Sequence, residues 1–438
     1  MWKMDRKITT RKAAGLVIIA ASIFCAGACA SDWPQWRGPN RDGVWQEEGI
    51  IERFDNAQLP IRWRAKIASG YSGPTVADGR VYITDHLTAP NEAERIHCFN
   101  AMTGEKIWSH TNECKYERVA YRDGPRASVT INDGRAYSLG TMGHFFCFDA
   151  AKGAVLWSQD LYTEYKIRMP MWGIAAAPLV EDELVIVQIG GENNACLVAF
   201  NKITGKEQWR ALNDVASYSA PVVIEQAGKR VLICCTGERV VGLDPNSGKL
   251  YWEHPFASEQ NISTPVAHNN FLFVSSFFDG SLLLKLNPDE LTVSPVWRRK
   301  GASETRTDSL HCCISTPLLQ GDYIYGADSY GELRCLDLNT GNRIWESLAA
   351  VPKARWANIH FVRHKDNIWM FNERGELIIS KLSPQGFQEI SRTKVINPTQ
   401  GQLDQRGGVC WSHPAFAYKH IYARNDEELI CASLSAKN

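Results

Sequence analysis

An all-β ring of eight four-stranded blades, a β-propeller, is the architecture that this 438-residue sequence predicts. Three observations predict it. One phrase recurs along the chain: an Asp or Asn, a Gly four positions on, and a Trp four positions beyond that. The tryptophans Trp63, Trp108, Trp157, Trp209, Trp252, Trp297 and Trp345 fall 43 to 52 residues apart. Between them lie short alternating apolar runs broken by tight turns, with no sustained 3.6-residue periodicity. A repeat of this length made of four short strands is one blade of a propeller.

Composition narrows the field before any residue is placed. With 44% hydrophobic and 22% charged residues, the chain is neither disordered, nor a coiled coil, nor collagen-like. Lys+Arg and Asp+Glu both number 48, so net basicity gives no argument for nucleic-acid binding.

The N-terminal residues read as a targeting segment. Lys3, Arg6, Lys7, Arg11 and Lys12 precede the apolar run Ala13 to Phe24, and Ala28-Cys29-Ala30 gives a small-residue cleavage pattern. Residues 1–30 are therefore expected to be a secretory signal peptide, placing the mature chain in the periplasm or cell envelope. Two alternatives stay open. The run could remain as a short anchor, or Cys29 could carry a lipid, although the leucine usual in that lipid box is missing. No later run is long and apolar enough for a membrane helix.

Residues 31–60 are expected to be an extension packed on the propeller, and residues 61–438 the propeller itself. Ile61-Arg62-Trp63 looks like a tryptophan strand standing alone. The first full unit starts at Gly73, with Asp78-Gly79 as a hairpin turn between two alternating runs, because glycine accepts the positive φ that the turn needs. The phrase then appears at 97–108, 146–157, 198–209, 241–252 and 334–345. A sixth copy at 283–297 is two residues longer and lacks the glycine, and a seventh, from Ser380 to Ile390, keeps Gly386 but loses the tryptophan. Eight inner segments are found, and the last, from about residue 411, has no tryptophan strand after it. The expected closure has residues 61–67 supply the outer strand of that final blade, beside Cys431, which leaves no open edge.

The repeat residues have structural roles on this reading. The Asp or Asn caps nearby N–H groups of its turn. The tryptophan packs between neighbouring blades, with an indole N–H that needs an acceptor. Of the 13 cysteines, Cys98, Cys147, Cys335 and Cys431 share one slot, two residues before the Asp/Asn position. Ala199, Gly242 and Ser380 take that slot elsewhere, and Lys285 takes it in the irregular copy. The slot wants a small buried residue, which free cysteine can be. Two adjacent pairs, Cys234-Cys235 and Cys312-Cys313, are either free thiols in strands or strained vicinal disulfides. No C-x-x-C or H-E-x-x-H spacing supports a metal site.

The repeated phrase resembles the tryptophan-docking motif of PQQ-type propeller repeats. These occur in quinoprotein alcohol dehydrogenases and in the outer-membrane protein assembly factor B type. The segment DWPQWRGPNRDGVW at 32–45 is similar to the opening of exported bacterial members of that group. The resemblance covers residues 32–438. It implies a propeller, and for the dehydrogenase branch it implies PQQ and calcium. That branch uses calcium-binding carboxylate and amide ligands, a catalytic Asp and a stacking Trp, a set with no matching positions here. The adjacent cysteines resemble the vicinal disulfide over the cofactor of those enzymes.

Strand order puts the turns at 77–80 and 100–104 on one face, and the longer loops on the other. That loop-rich face holds the candidate ligand-binding residues Arg126, Trp172, Tyr218, Asn261, His311, Arg355, Trp356, Asn358, Arg406, Trp411 and His413. Three arginines and three tryptophans on one face point to a rim for an anionic or planar ligand, or for a partner's peptide. The expected function is a monomeric, non-catalytic binding or scaffolding module with an envelope protein as its partner. The alternative is a PQQ- and calcium-dependent dehydrogenase oxidising alcohols or sugars. The aromatic rim alone suggests a glycan-directed propeller.

Overall fold

Each repeat folds as an antiparallel four-stranded sheet, and eight such sheets form the ring. The computed structural model describes residues 1–2 and 31–436, so all but residues 1–2 of the expected signal peptide, with Cys29, lies outside the described residues. The first blade comprises Thr75–Ala77, Arg80–Leu87, Ala93–Asn100 and Lys106–Glu113. The innermost strands of the next seven are Thr130–Asn132, Leu179–Glu181, Val222–Gln226, Val266–His268, Leu318–Gln320, Ile359–His364 and Ala415–Ala417. One five-residue helix, Leu161–Tyr165, interrupts the pattern after Asp160, whose side chain accepts from the Thr163 N–H.

The ring closes as the sequence predicts. Ile61–Lys66 is the outer strand of the last blade and pairs antiparallel with Glu428–Ser433, with Trp63 opposite Cys431. Closure covers the outward edge of Glu428–Ser433, which would otherwise stand unpaired and template aggregation.

The tryptophans join one blade to the next by a repeated contact. Trp63 donates its indole N–H to Ala101 O at 3.0 Å, Trp108 to Ala150 O at 3.0 Å, Trp157 to Lys202 O at 3.3 Å and Trp209 to Pro245 O at 3.0 Å. Trp297 reaches Leu338 O and Trp345 reaches Ser383 O in the same way. In the first four pairs the ring also lies flat against the glycine of the receiving turn. A Cβ at Gly104 would stand 2.6 Å from Trp63, and one at Gly153 would stand 2.5 Å from Trp108. The Asp or Asn of that turn caps it: Asn100 Oδ1 accepts from the Met102 and Thr103 N–H groups.

The irregular copy breaks this pattern in two ways. Trp252 should dock on the turn that lacks the glycine, and it instead donates to Gln226 Oε1 of its own blade at 2.9 Å. The longer turn also moves the register, so Leu283, not Lys285, sits opposite Trp297. Small residues stand opposite the tryptophan elsewhere, at Cys98, Cys147, Ala199, Gly242 and Cys335.

Gly153 and Gly134 separate the contact from the backbone, since both adopt a positive φ near 70° and only Gly153 meets a neighbour. We expect Gly134→Ala to cost about 1–2 kcal/mol from the backbone alone. Gly153→Ala should cost clearly more in denaturant titration, and equal losses would mean that the Trp108 contact carries no stability.

Residues 33–45 enter the axial channel. Trp33 pairs with Val76 of the first blade by two backbone hydrogen bonds, and the Ile131 N–H donates to Pro34 O. The segment then turns and leaves along the seventh blade, where the Trp45 N–H donates to Arg363 O. At the turn, the buried Arg41 guanidinium donates to Pro221 O at 3.1 Å, to Ala177 O and to Pro178 O. Burial without a carboxylate partner pushes the Arg41 pKa down to about 9. Trp33, Trp45, Trp369 and Phe416 pack on one another, with Trp45 tilted on Phe416 and the other three contacts edge to face. Glu47 holds the exit by accepting from Trp45 Nε1 at 2.9 Å and from the Lys419 N–H at 2.7 Å.

Candidate functional site

The innermost strand of every blade is preceded by a lead-in segment that crosses the loop-rich face, so eight lead-ins converge on the axis. Together they line a cavity of about 170 Å³. Tyr71 comes from the first, Tyr121, Arg126 and Ser128 from the second, and Trp172 with Ala175 and Ala177 from the third. Tyr218 and Ala220, Ile262, and Cys313 with Ile314 follow, and Trp356 with His360 and Trp411 with His413 complete the circle. The small and apolar residues sit where the inner strands crowd together, and the rings sit in the longer loops. Trp36, carried in by residues 33–45, forms the floor. It donates to Thr264 Oγ1 at 2.8 Å, and its ring meets His413 edge-on at 4.6 Å.

The rings hold one another across the mouth. Tyr121 packs edge-to-face on Trp172 at 6.2 Å and on Trp356 at 6.3 Å, and Trp356 meets Trp411 at 6.5 Å. Trp172 lies over Tyr218 at 4.8 Å, and the Trp172 backbone N–H donates to the Tyr218 hydroxyl at 3.1 Å. Tyr121 and Trp356 both adopt a left-handed backbone, with φ of 55° and 64°. That conformation is uncommon for bulky side chains and concentrates where the surroundings fix a functional geometry.

Beneath the rings lie two neutral histidines. His413 Nδ1–H donates to Pro414 O at 3.2 Å, and its Nε2 accepts from Ser128 Oγ at 2.6 Å. His360 Nε2–H donates to Trp411 O at 2.8 Å. Burial pushes their pKa values down to about 3 for His413 and about 4 for His360. Arg126 stands over the Tyr71 ring at 4.8 Å and donates to the carbonyls of Gly124, Ala120 and Tyr121, none of them a carboxylate. Asp123 sits just outside, its carboxyl pushed up to about 6 by burial and then by Asp426.

The predicted rim residues separate into two groups. Arg126, Trp172, Tyr218, Trp356, Trp411 and His413 line the cavity. The others support it. Arg355 stacks on Trp356 at 4.2 Å and pairs with Glu304 at 2.7 Å. Arg406 makes a two-bond pair with the buried Glu373, which also accepts from Trp411 Nε1 at 3.2 Å. Asn358 accepts from Ser315 Oγ at 2.5 Å behind His360. His311 is committed to Phe277 O at 2.9 Å and to the Gly301 N–H at 3.1 Å. Asn261 is wholly buried behind the wall, where its backbone O accepts from the Tyr218 N–H. Trp36, Tyr71, Tyr121, Ser128 and His360 were not among the predicted ligand contacts. The signal for Trp36 was its place in the 32–45 segment, and for the rest their place in the lead-ins.

The adjacent cysteines stand as free thiols. Successive side chains of a strand point to opposite faces. Cys234 accordingly packs with the third blade, against Leu197 and Ala199, and Cys235 with the fifth, against Leu272 and Leu282. Cys312 is buried with Leu310 and Leu319, while Cys313 reaches the cavity, its thiol pushed up to about 12 by burial.

The lining does not fit a calcium-held quinone. Calcium takes six to eight oxygen ligands, carboxylates prominent among them, and no lining side chain is a carboxylate. Among the described residues, no group of three or more His, Cys, Asp or Glu gathers as a metal site. Arg126 is the single lining cation, too few for the three carboxylates of PQQ. No helix among the described residues is long and apolar enough to cross a membrane.

Comparison with known proteins agrees with the fold. The outer membrane protein assembly factor BamB of Shewanella oneidensis is 23% identical over 298 residues, which is 65% of this chain and 60% of that protein. The chain thus matches less than two thirds of that relative's length. The crystal structure of BamB from Moraxella catarrhalis superposes with a TM-score of 0.57 at 15% identity, covering 87% of this chain and 99% of that one. Quinohemoprotein alcohol dehydrogenase from Comamonas testosteroni superposes with a TM-score of 0.64 at 12% identity, covering 93% and 81%. At these identities the two superpositions establish the shared propeller fold. The family profile described as outer membrane protein assembly factor BamB matches residues 92–347, more than half of the sequence, and the chain belongs to that PQQ-repeat propeller family.

Proposed function

We propose that this protein is an exported, non-catalytic binding module that docks an envelope protein on its loop-rich face. The observation that carries this reading is the composition of the axial funnel. Every blade contributes to it, its walls are aromatic and apolar, and it presents neither a carboxylate pair nor a metal set for acid–base or Lewis-acid chemistry. Its histidines are hydrogen-bonded to their surroundings and kept neutral by burial. The face around the funnel also exposes large apolar side chains, with Met171 58% and Phe278 44% exposed. Membership of the BamB family supports a partner within the envelope's protein-assembly apparatus.

A photo-crosslinking side chain at Met171 or Phe278 is expected to capture a discrete envelope protein in living cells. The same group at Asp133 or Asn246, on turns of the opposite face, should capture none. Crosslinks only from Asp133 and Asn246 would place the interface on the wrong face and end this reading.

A further inference from the structure

We propose that the axial funnel, floored by Trp36, binds a flat aromatic ligand that carries a single anionic or carbonyl acceptor edge. This rests on the reading of the loop-rich face as a binding face, and it adds a ligand that the docked partner or the envelope would supply.

The chemistry of the lining excludes the other occupants one by one. A cation would meet the Arg126 guanidinium in the wall and the Arg37 guanidinium beside Trp36, with no carboxylate among the lining residues to offset them. A sugar would bring several hydroxyls into a wall whose buried polar groups, Trp172 Nε1 apart, are already committed. Ser128 is bonded to His413 and His360 to Trp411. Unmatched hydroxyls in such a site are costly. A flexible aliphatic anion would leave the ring faces without a stacking partner.

A flat ring with one acceptor edge meets every demand. Tyr71, Tyr121, Trp172, Trp356 and Trp411 surround it, and Trp36 closes the depth. Trp172 Nε1 is buried in that wall and has no hydrogen-bond acceptor. A buried unmatched donor is destabilising, and a small turn of the Trp172 ring would bring it to an acceptor on a ligand seated against that ring. Arg126, whose charge no carboxylate neutralises by hydrogen bonding, stands on the same wall. The depth of the site is set from within the chain. Trp36 is fixed by its bond to Thr264 and by Arg41 two turns of backbone later, so the floor is pre-built rather than induced.

The test is titration of the purified full chain with three probes, followed by tryptophan fluorescence and calorimetry. 1-Naphthoate is expected to bind one to one. N-Methylquinolinium, a cation of the same shape, and cyclohexanecarboxylate, an anion that is not flat, should each bind at least tenfold more weakly. Trp172→Phe keeps a ring but removes the N–H, and should weaken 1-naphthoate about fivefold to tenfold. Trp36→Ala should weaken 1-naphthoate and admit the larger pyrene-1-carboxylate, with thermal melting run alongside to show a folded chain. Failure of 1-naphthoate to bind at millimolar concentration overturns the proposal, as does equal binding of the cation or wild-type affinity in Trp172→Phe. Crosslinking at Met171 and Phe278 is read separately, so loss of the ligand leaves the partner reading standing, and loss of the partner leaves the ligand result standing.

Discussion

Trp63→Ala is expected to lower stability by about 3–5 kcal/mol, the usual range for removing a buried tryptophan. The ring of Trp63 is 8% exposed, donates to Ala101 O, and packs on Gly104 and beside Tyr422. What distinguishes it from the other docking tryptophans is its place in the chain. It sits on the strand that completes the last blade, so it joins the N-terminal part of the propeller to the C-terminal part and the last blade to the first. At this seam, as at the others, the chain runs directly from the outer strand of one blade into the inner strand of the next, so the break in covalent continuity lies inside the last blade. There the strand pairing of Ile61–Lys66 with Glu428–Ser433 holds the ring shut, and Trp63 stands on that pairing, opposite Cys431 and beside Tyr422. Loss of the contact should therefore release structure over a long stretch of sequence. Hydrogen exchange should accelerate together in 61–66, 428–433 and the receiving turn at 100–104. Trp252→Ala is the comparison, because Trp252 reaches the next blade through Gln226, whose Nε2 donates to Asn287, Glu290 and Thr292 O, at a seam away from the ring closure. Its effect should stay within residues 226–252 and the neighbouring blade as far as residue 292. Exchange at the seam unchanged in Trp63→Ala would show that strand pairing alone closes the ring.

The parts of this architecture that could be read from the sequence are those written in a short repeating pattern. Asp149, Gly153 and Trp157 form a turn and a strand whose geometry is local, and the same three-residue signature is complete in five of the eight blades. Closure followed from counting inner and outer strands. The irregular fifth blade was misplaced by two residues because register depends on the length of the turn, and an alignment on Asn287 does not reveal that Leu283 will face Trp297. The cavity was legible only as a face. Arg355 and Arg406 resemble Arg126 in the sequence, yet their charges are met by Glu304 and Glu373, 51 and 33 residues away. Such pairings arise only when blades come together, and nothing local separates a paired arginine from a free one. The floor was the least legible part. Trp36 belongs to no repeat, and its position follows from a segment that threads the channel, held by carbonyls of blades far apart in sequence.

The second large expectation concerns acid. Between pH 6.5 and 4 the protein should lose stability steeply, with the funnel floor as a principal cause. The sign follows from the two histidines. In the unfolded chain a histidine takes up its proton near pH 6.5. In the folded chain burial holds His360 at about 4 and His413 at about 3, and each histidine's charge would also meet Arg37 or the other histidine. The unfolded state therefore binds more protons throughout this window, so stability falls as pH falls. At pH 5 each histidine contributes a loss on the order of 2 kcal/mol, from a proton uptake about 1.5 units below the unfolded pKa. The two together are a large share of the roughly 5–15 kcal/mol that typical domains possess. His86, His311 and His420 are shifted in the same direction by burial and add to the slope. Only His360 and His413 touch the cavity, however. His413→Gln can still accept from Ser128 and has no proton to gain. It should flatten the decline in denaturation midpoint between pH 7 and pH 5 by about half of the two-histidine contribution. Folded His413 stays neutral at pH 5, so the native tryptophan emission of the wild type should hold over this step while its denaturation midpoint falls. A His413→Gln protein whose stability still falls as steeply as the wild type's would show that the acid response arises elsewhere in the ring.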